Sequence, residues 1–360
     1  MTRRAVAHTH GVNPEEPNPV PLTPFCEFAT LPESLDLDGP LRLGGGEDVA
    51  SAIPYLLGFH PVESVVALVC ADRRLVMTAR LPLELCDLPL ELDETLATMA
   101  QRVPGGRWIL AGYGHDRERV SDAIELVSAL LGHDAVVDAL YIDEGRFWSL
   151  TCAQPGCCPQ EGRPYDASTS PAALRAVVAG LTALDRREDL LDRIRPPRGW
   201  TARRARIRLD DAFATIRQQG HEATEKAFER LLQRGASDPA ALSSDDLAMM
   251  TACVHYPWLR DLAFRRMTST TAHTQVELWQ SIVQATARDD QASALAMLGL
   301  ACWISGDGAM QVVCLERGRK LAPEHPLLRL LDEANRTAAP PALWDELLEE
   351  MFGEGSACGG

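Results

Sequence analysis

The chain has 360 residues, of which 46% are apolar and 24% charged, and a formal net charge of −16. That is enough chain for two domains with cores of their own, in the composition of an ordinary globular protein. The acidic balance argues against non-specific binding to nucleic acid or anionic membrane, and no apolar run approaches the ~20 residues that span a bilayer.

The opening stretch MTRRAVAHTHGVNPEEPNP starts basic but lacks the apolar segment of a secretory signal, so a cytoplasmic location is expected. Residues 1–40 are rich in Pro, Glu and Asn and read as a disordered leader, with an apolar patch at Phe25–Leu31 able to dock on the body. Ten cysteines are scattered along the chain. Cys70, Cys253, Cys302 and Cys314 lie in apolar segments and read as small buried hydrophobes. Lysine occurs only at Lys226 and Lys320, so the first half has no lysine for a phosphate-binding loop or a Schiff base, and Gly44-Gly45-Gly46 is not a Walker loop.

From Leu41 the pattern alternates between helix and strand. A short strand precedes the glycines, and GEDVASAIPYLLG predicts a helix with Glu47 and Asp48 at the favourable end of its dipole and Pro54 inside it. Gly58-Phe59-His60-Pro61 turns the chain into a buried strand, Val65–Val69, which forms a hairpin with Leu75–Leu83. A helix follows over Leu92–Arg102, then a strand over Trp108–Tyr113. The next helix, Arg117–Leu131, repeats apolar residues at Val120, Ile124, Val127 and Leu131 and stops at Gly132. Val136–Ile142 and Arg146–Thr151 pair as a second hairpin. The order αββαβαββ predicts an α/β domain over 41–168, a mixed sheet with flanking helices whose strand order stays open.

After the loop CAQPGCCPQEGRPYDASTS the strand signals end. Helices are predicted over Ala172–Leu184, Arg186–Ile194, Ala202–Gln219, Glu222–Gln233, Ser244–Cys253, Pro257–Met267, Val276–Ala287, Asp290–Ile304, Ala309–Leu321, Pro326–Thr337 and Trp344–Met351. They make a helical domain over 169–351, followed by a disordered tail over 352–360. Leu295, Leu298, Gly299, Cys302, Leu315, Gly318 and Pro323 follow the spacing of one tetratricopeptide unit, with Gln311 standing where a small residue is usual. The helical half is therefore expected to be tetratricopeptide-like.

Several of these residues carry a family likeness. Ile53-Pro54-Tyr55-Leu56-Leu57-Gly58-Phe59-His60-Pro61 followed by Ser64-Val65-Val66 resembles the actinobacterial domain of unknown function 4192 family. So do Arg80, Trp148 leading to Cys152 and Cys157-Cys158-Pro159, Gly162, Pro164, Arg260-Asp261 and Gly306-Asp307-Gly308. The resemblance covers roughly residues 40–335. It implies an α/β half joined to a helical half in a GC-rich actinobacterium, and it assigns no catalytic residue.

Four groups of residues are candidate sites. Asp48, His60, Ser64 and Arg80, with Glu63, put carboxylate, imidazole, hydroxyl and guanidinium around one Gly-bounded loop, a set able to do acid–base chemistry or to cap and shape the turn. Cys152, Cys157 and Cys158 are three thiols where a structural zinc takes four ligands, so a packed loop is the expectation, with metal binding and redox sensing the alternatives. Arg193, Arg195, Arg198, Arg203, Arg204, Arg206 and Arg208 around Trp200 form a basic stripe, expected to be a solvated helix face rather than a nucleic-acid surface. Trp344, Leu347, Leu348 and Met351 form an apolar stripe expected to fold back onto the helical half.

No catalytic motif is complete. The leading expectation is a cytoplasmic adaptor or regulatory protein that binds another protein through its helical half, with no cofactor, no nucleic acid and no membrane partner. The alternative is an enzyme or small-ligand-binding protein with its site in the 44–80 region.

Overall fold

A computed structural model describes residues 26–29, 45–72, 74–152, 154, 157–167, 170–178 and 181–353. The first half is a seven-stranded sheet built from β1 (Glu27–Ala29), β2 (Ser64–Ala71), β3 (Arg74–Pro82), β4 (Arg107–Tyr113), β5 (Val136–Asp143), β6 (Arg146–Ser149) and β7 (Arg163–Pro164), in the order β1-β3-β2-β4-β5-β6-β7. Only the β4–β5 pair is parallel. The helix between those two strands, α4 (Arg117–Leu131), provides the crossover that a parallel pair needs.

Strand β2 is an interior strand between β3 and β4, and its near-continuous apolar run SVVALVCA is the mark of a strand covered on both faces. Alternation sorts its side chains between two cores. Val65, Ala67 and Val69 meet α2 (Leu83–Cys86), α3 (Pro89–Arg102) and α4 on one face. Val66 and Leu68 meet α1 (Gly46–Leu57) on the other.

The second half is α5 (Pro171–Val178), a 3-10 stretch Arg187–Ile194, α6 (Gly199–Gln219), α7 (His221–Ser237), α8 (Ser244–Cys253), α9 (Pro257–Phe264), α10 (Ala272–Ala285), α11 (Ala292–Ser305), α12 (Gly308–Leu321), α13 (Pro326–Arg336) and α14 (Leu343–Phe352). α11 is apolar all round and buried all round, from Ser293 to Ser305. Such a helix belongs at the centre of a bundle. It packs against α10, α12 and α13, and these contacts do not establish the expected tetratricopeptide likeness.

The α1 face of the sheet and the helices share one apolar cluster, which runs from Val49 and Ile53 through Leu68 and Leu140 to Phe228, Trp279, Leu298 and Trp344. Two further devices join the halves. Gly58 ends α1 in the left-handed conformation (φ 80), and its carbonyl accepts from Leu184 N (2.9 Å) while His60 N donates to the Leu184 carbonyl (2.9 Å). Leu184 is held in this bridge, so the helix expected over Ala172–Leu184 is α5 alone, ending at Val178.

The second device is β1. Part of the segment expected to be a disordered leader is an edge strand, with Glu27 opposite Arg80 in the register. The Glu27 side chain is fully buried and pairs with Arg80 (3.0 Å) and with Arg187, which also holds Glu316 at 2.9 Å. Burial opposes the charge on Arg187, but Glu27 and Glu316 outweigh it and hold its pKa above the usual value. The strand expected before the triple glycine, Gly44 itself and the tail beyond residue 353 lie outside the described residues. No described helix is long and apolar enough to cross a membrane.

Candidate functional site

The cysteine loop leaves the sheet at the end of β6 and is fastened at several points. Ser149 Oγ accepts from the backbone of Thr151 (3.3 Å) and Cys152 (3.1 Å). The Gln154 carbonyl accepts from Cys157 N (3.0 Å) and Cys158 N (2.7 Å), which turns the adjacent cysteines back toward Cys152. Beyond them, Trp148 Nε1 donates to the Gln160 carbonyl (2.9 Å) and its ring lies against Gly162. A Cβ at Gly162 would come within 2.4 Å of that ring, and its φ of +75° is one that glycine adopts without strain. Tyr141 flanks Trp148 at 5.2 Å, with the Arg117 guanidinium 5.3 Å from the indole.

The result is a trio of thiols. The Sγ atoms of Cys152, Cys157 and Cys158 all lie within 4.8 Å of one another. The backbone N–H of Gln154 holds the Cys152 thiol below its ordinary pKa, and hydrogen bonding from Cys158 adds to this. Cys158 is pushed up to about 11, by lost hydration and then by donating to Cys152. Buried Cys253, by contrast, is driven up to about 12 by desolvation alone.

These thiols line a cavity of about 590 Å³ whose opposite wall is the start of α1. Gly46, Glu47 and Asp48 come from that helix and Gly45 from its N-cap, and Asp138 and Leu140 come from β5. Gly46 leaves space for the Phe147 ring, which a Cβ would approach to 2.6 Å. Asp138 is half-buried. Its Oδ1 accepts from Thr151 Oγ1 (2.9 Å), from Ser149 Oγ (3.4 Å) and from Ala139 N (2.9 Å). The cavity thus gathers three thiols and three carboxylates, with Arg163 as the basic lining residue.

The four residues read as one cluster around the Gly58–Pro61 loop occupy different surroundings. Asp48 lies on the cavity wall, where its Oδ1 accepts from Ser170 Oγ (3.4 Å). His60 is exposed at the bridge to Leu184. Ser64 is fully buried at the start of β2. Arg80 is bound to Glu27, donates to the Val62 carbonyl (3.2 Å), and lies 5.8 Å from the Phe59 ring centre. Glu63 holds a left-handed backbone (φ 43) and faces Arg119 at 3.9 Å. What the structure does bring together is Asp48 and the cysteine loop, read separately along the chain.

Asp138 and Glu27 escaped sequence reasoning. The signal for Asp138 is a carboxylate inside the apolar strand VVDALYID, on the same side as Leu140 and Ile142. That for Glu27 is an acid inside the only apolar patch of the leader.

A second cavity, about 350 Å³, opens between the halves and is lined by Tyr55, Thr182, Arg193, His273 and Asp307 among others. Asp307 caps α12 by accepting from Met310 N (3.0 Å), and burial raises its pKa against the pull of that N–H, Arg193 and His273. In the arginine stripe, Arg206 pairs with Asp289 and Asp290, Arg208 with Asp245 (2.9 Å) and Arg195 with Asp192. Of the C-terminal apolar stripe, Trp344 is buried, against Phe264 and bonded to the Met267 carbonyl (2.6 Å), while Leu347 and Met351 stay exposed.

Comparison with curated proteins and with solved structures finds no match. A family model does match, over residues 47–342, and that span takes in α1, the cysteine loop and the helices through α13. The chain belongs to the family described as domain of unknown function DUF4192.

Proposed function

We propose that this is a cytoplasmic small-ligand-binding protein whose site is the cavity between the start of α1 and the cysteine loop, with the helical half as its rigid support. One observation carries it: the 590 Å³ cavity collects the chemistry-bearing residues of two distant segments, Asp48 of α1 and Asp138 with the three cysteines of the second hairpin and its loop. Convergent polar groups in a preformed concavity are the usual form of a ligand site. Glu47, Asp48 and Asp138 against Arg163 favour a ligand with cationic character. The nine free cysteines among the described residues suit a reducing compartment.

The experiment is native mass spectrometry of the full chain taken gently from its host, beside Asp138→Asn. Asparagine keeps the Oδ1 acceptor of Thr151 and removes the charge. A small mass retained by the parent and lost from the variant is expected; a bare chain in both, across several gentle preparations, overturns the proposal.

The surface of α5 favours a protein partner as a second reading. This helix turns its alanines (Ala172, Ala173 and Ala176) inward and leaves the bulkier Leu174, Val177 and Val178 exposed. Single exposed apolar residues are ordinary, but three on one short helix form a patch. A photo-crosslinking residue at Leu174 should then give one discrete adduct in the host; its absence removes this reading.

A further inference from the structure

We propose that Cys152, Cys157 and Cys158 ligate one thiophilic divalent cation, zinc by preference, with a fourth coordination position open to the cavity beside Asp138. The assignment rests on the cavity being the functional site and names what the site holds. Zinc binds thiolate sulfur at about 2.3 Å, and tetrahedral geometry then places sulfurs about 3.8 Å apart. The three Sγ atoms already lie within 4.8 Å of one another, so closure on a cation asks for movements of about 1 Å or less.

The backbone is arranged for that closure. The double hydrogen bond from Cys157 N and Cys158 N to the Gln154 carbonyl makes the adjacent thiols converge, and Ser149 fixes the backbone at Cys152. A loop whose cysteines only filled space would bury them, as Cys253, Cys302 and Cys314 are buried in the helices. Here Cys157 is exposed, Cys152 and Cys158 are half-buried, and all three line the cavity.

Ligand chemistry selects the ion. Three sulfur donors favour zinc over magnesium or calcium, which take oxygen. Three protein ligands with a fourth position left to water or a bound molecule are the pattern of zinc sites that act on a ligand; closed structural sites use four. A water or ligand atom in that position would share the cavity with Asp138 and Asp48, which line it along with the three cysteines. Asp138 is anchored by Thr151, one residue before Cys152, so its orientation is tied to the loop that carries the metal.

The test uses the full reduced chain, stripped with chelator and titrated with Co²⁺ and then Zn²⁺. One Co²⁺ per chain is expected, with a thiolate-to-cobalt charge-transfer band and the visible bands of tetrahedral cobalt, both removed by Zn²⁺. Cys152→Ser, Cys157→Ser and Cys158→Ser should each weaken binding on the order of tenfold or more, whereas Cys70→Ser, on β2 and separated from β6 by β4 and β5, leaves it unchanged.

No charge-transfer band, or a band that survives all three loop substitutions, overturns the metal site. So does a Cys152–Cys158 disulfide in protein alkylated directly in its host. If cobalt fails but a small organic mass is retained and lost in Asp138→Asn, the ligand cavity stands and the metal falls. If cobalt binds as expected and no organic mass is found, the metal stands alone.

Discussion

Two cases show how local surroundings set side-chain chemistry. Cys152 and Cys158 sit six residues apart and in contact, yet the Gln154 N–H lowers one thiol while lost hydration and donation raise the other. Thiolate is the nucleophile, so limited iodoacetamide on metal-free, reduced protein near neutral pH should label Cys152 well before Cys158, and Cys26, pushed up to about 12 by burial, later still. Peptide mass mapping over time gives the order, and Cys158 reacting first would contradict it. His325 is the second case. Burial, then Arg260 and His255, lowers its pKa below 6.5, and its Nε2 meets Ser293 Oγ at 3.3 Å. The unfolded chain takes up this proton more readily than the folded one. The contribution of His325 is therefore whole above pH 6.5 and is lost as the pH falls from there through the lower folded value. His325→Gln should flatten the decline in urea midpoint below pH 6.5; a slope equal to the parent's would show that His325 does not carry it.

At the scale of elements, β1 is the piece whose docking is most exposed to a single change. Gly308 opens α12 against the β1 backbone, and a Cβ there would fall 1.6 Å from the Phe28 carbonyl oxygen. Asn335 Nδ2 donates to the Cys26 carbonyl (3.1 Å) from the other side. Gly308→Ala should cost about 1–3 kcal/mol by overpacking and release the strand. Hydrogen exchange would show faster amides at 27–29 with the centre of β2 still protected, and unchanged exchange at β1 would refute the close approach. The order of the longer elements was legible from Gly46 to Ser149, the short helix α2 excepted, because alternation in strands and 3.6-residue spacing in helices are local signals. β1 was not, since three residues in a proline-rich leader carry no period of their own and become a strand only through pairing with β3.

For the whole molecule, the question is how two halves of different architecture hold together. The shared apolar cluster, the Leu184 bridge and the Glu27–Arg187–Glu316 ion network all cross the junction. One cooperative calorimetric transition is therefore expected for the full chain. Glu27→Gln leaves Arg80 and Arg187, 11% and 20% exposed, short of their buried partner, and should cost about 3–5 kcal/mol in chemical denaturation. Two resolved transitions in the parent, or a loss under about 1 kcal/mol in the variant, would show that the network does not couple the halves.

Composition, periodicity and turn residues were enough to determine an α/β half followed by helices, the absence of lysine chemistry in the first half, and the cysteine loop as a place to look. Those properties depend on neighbours a few residues apart. The strand order, the burial of Ser64, the engagement of Arg80 by Glu27, and the meeting of Asp48 with the cysteine loop were decided by tertiary structure alone. Each joins residues distant along the chain, and which of them meet is fixed by how the sheet faces are covered, a global optimum of burial that no local pattern encodes.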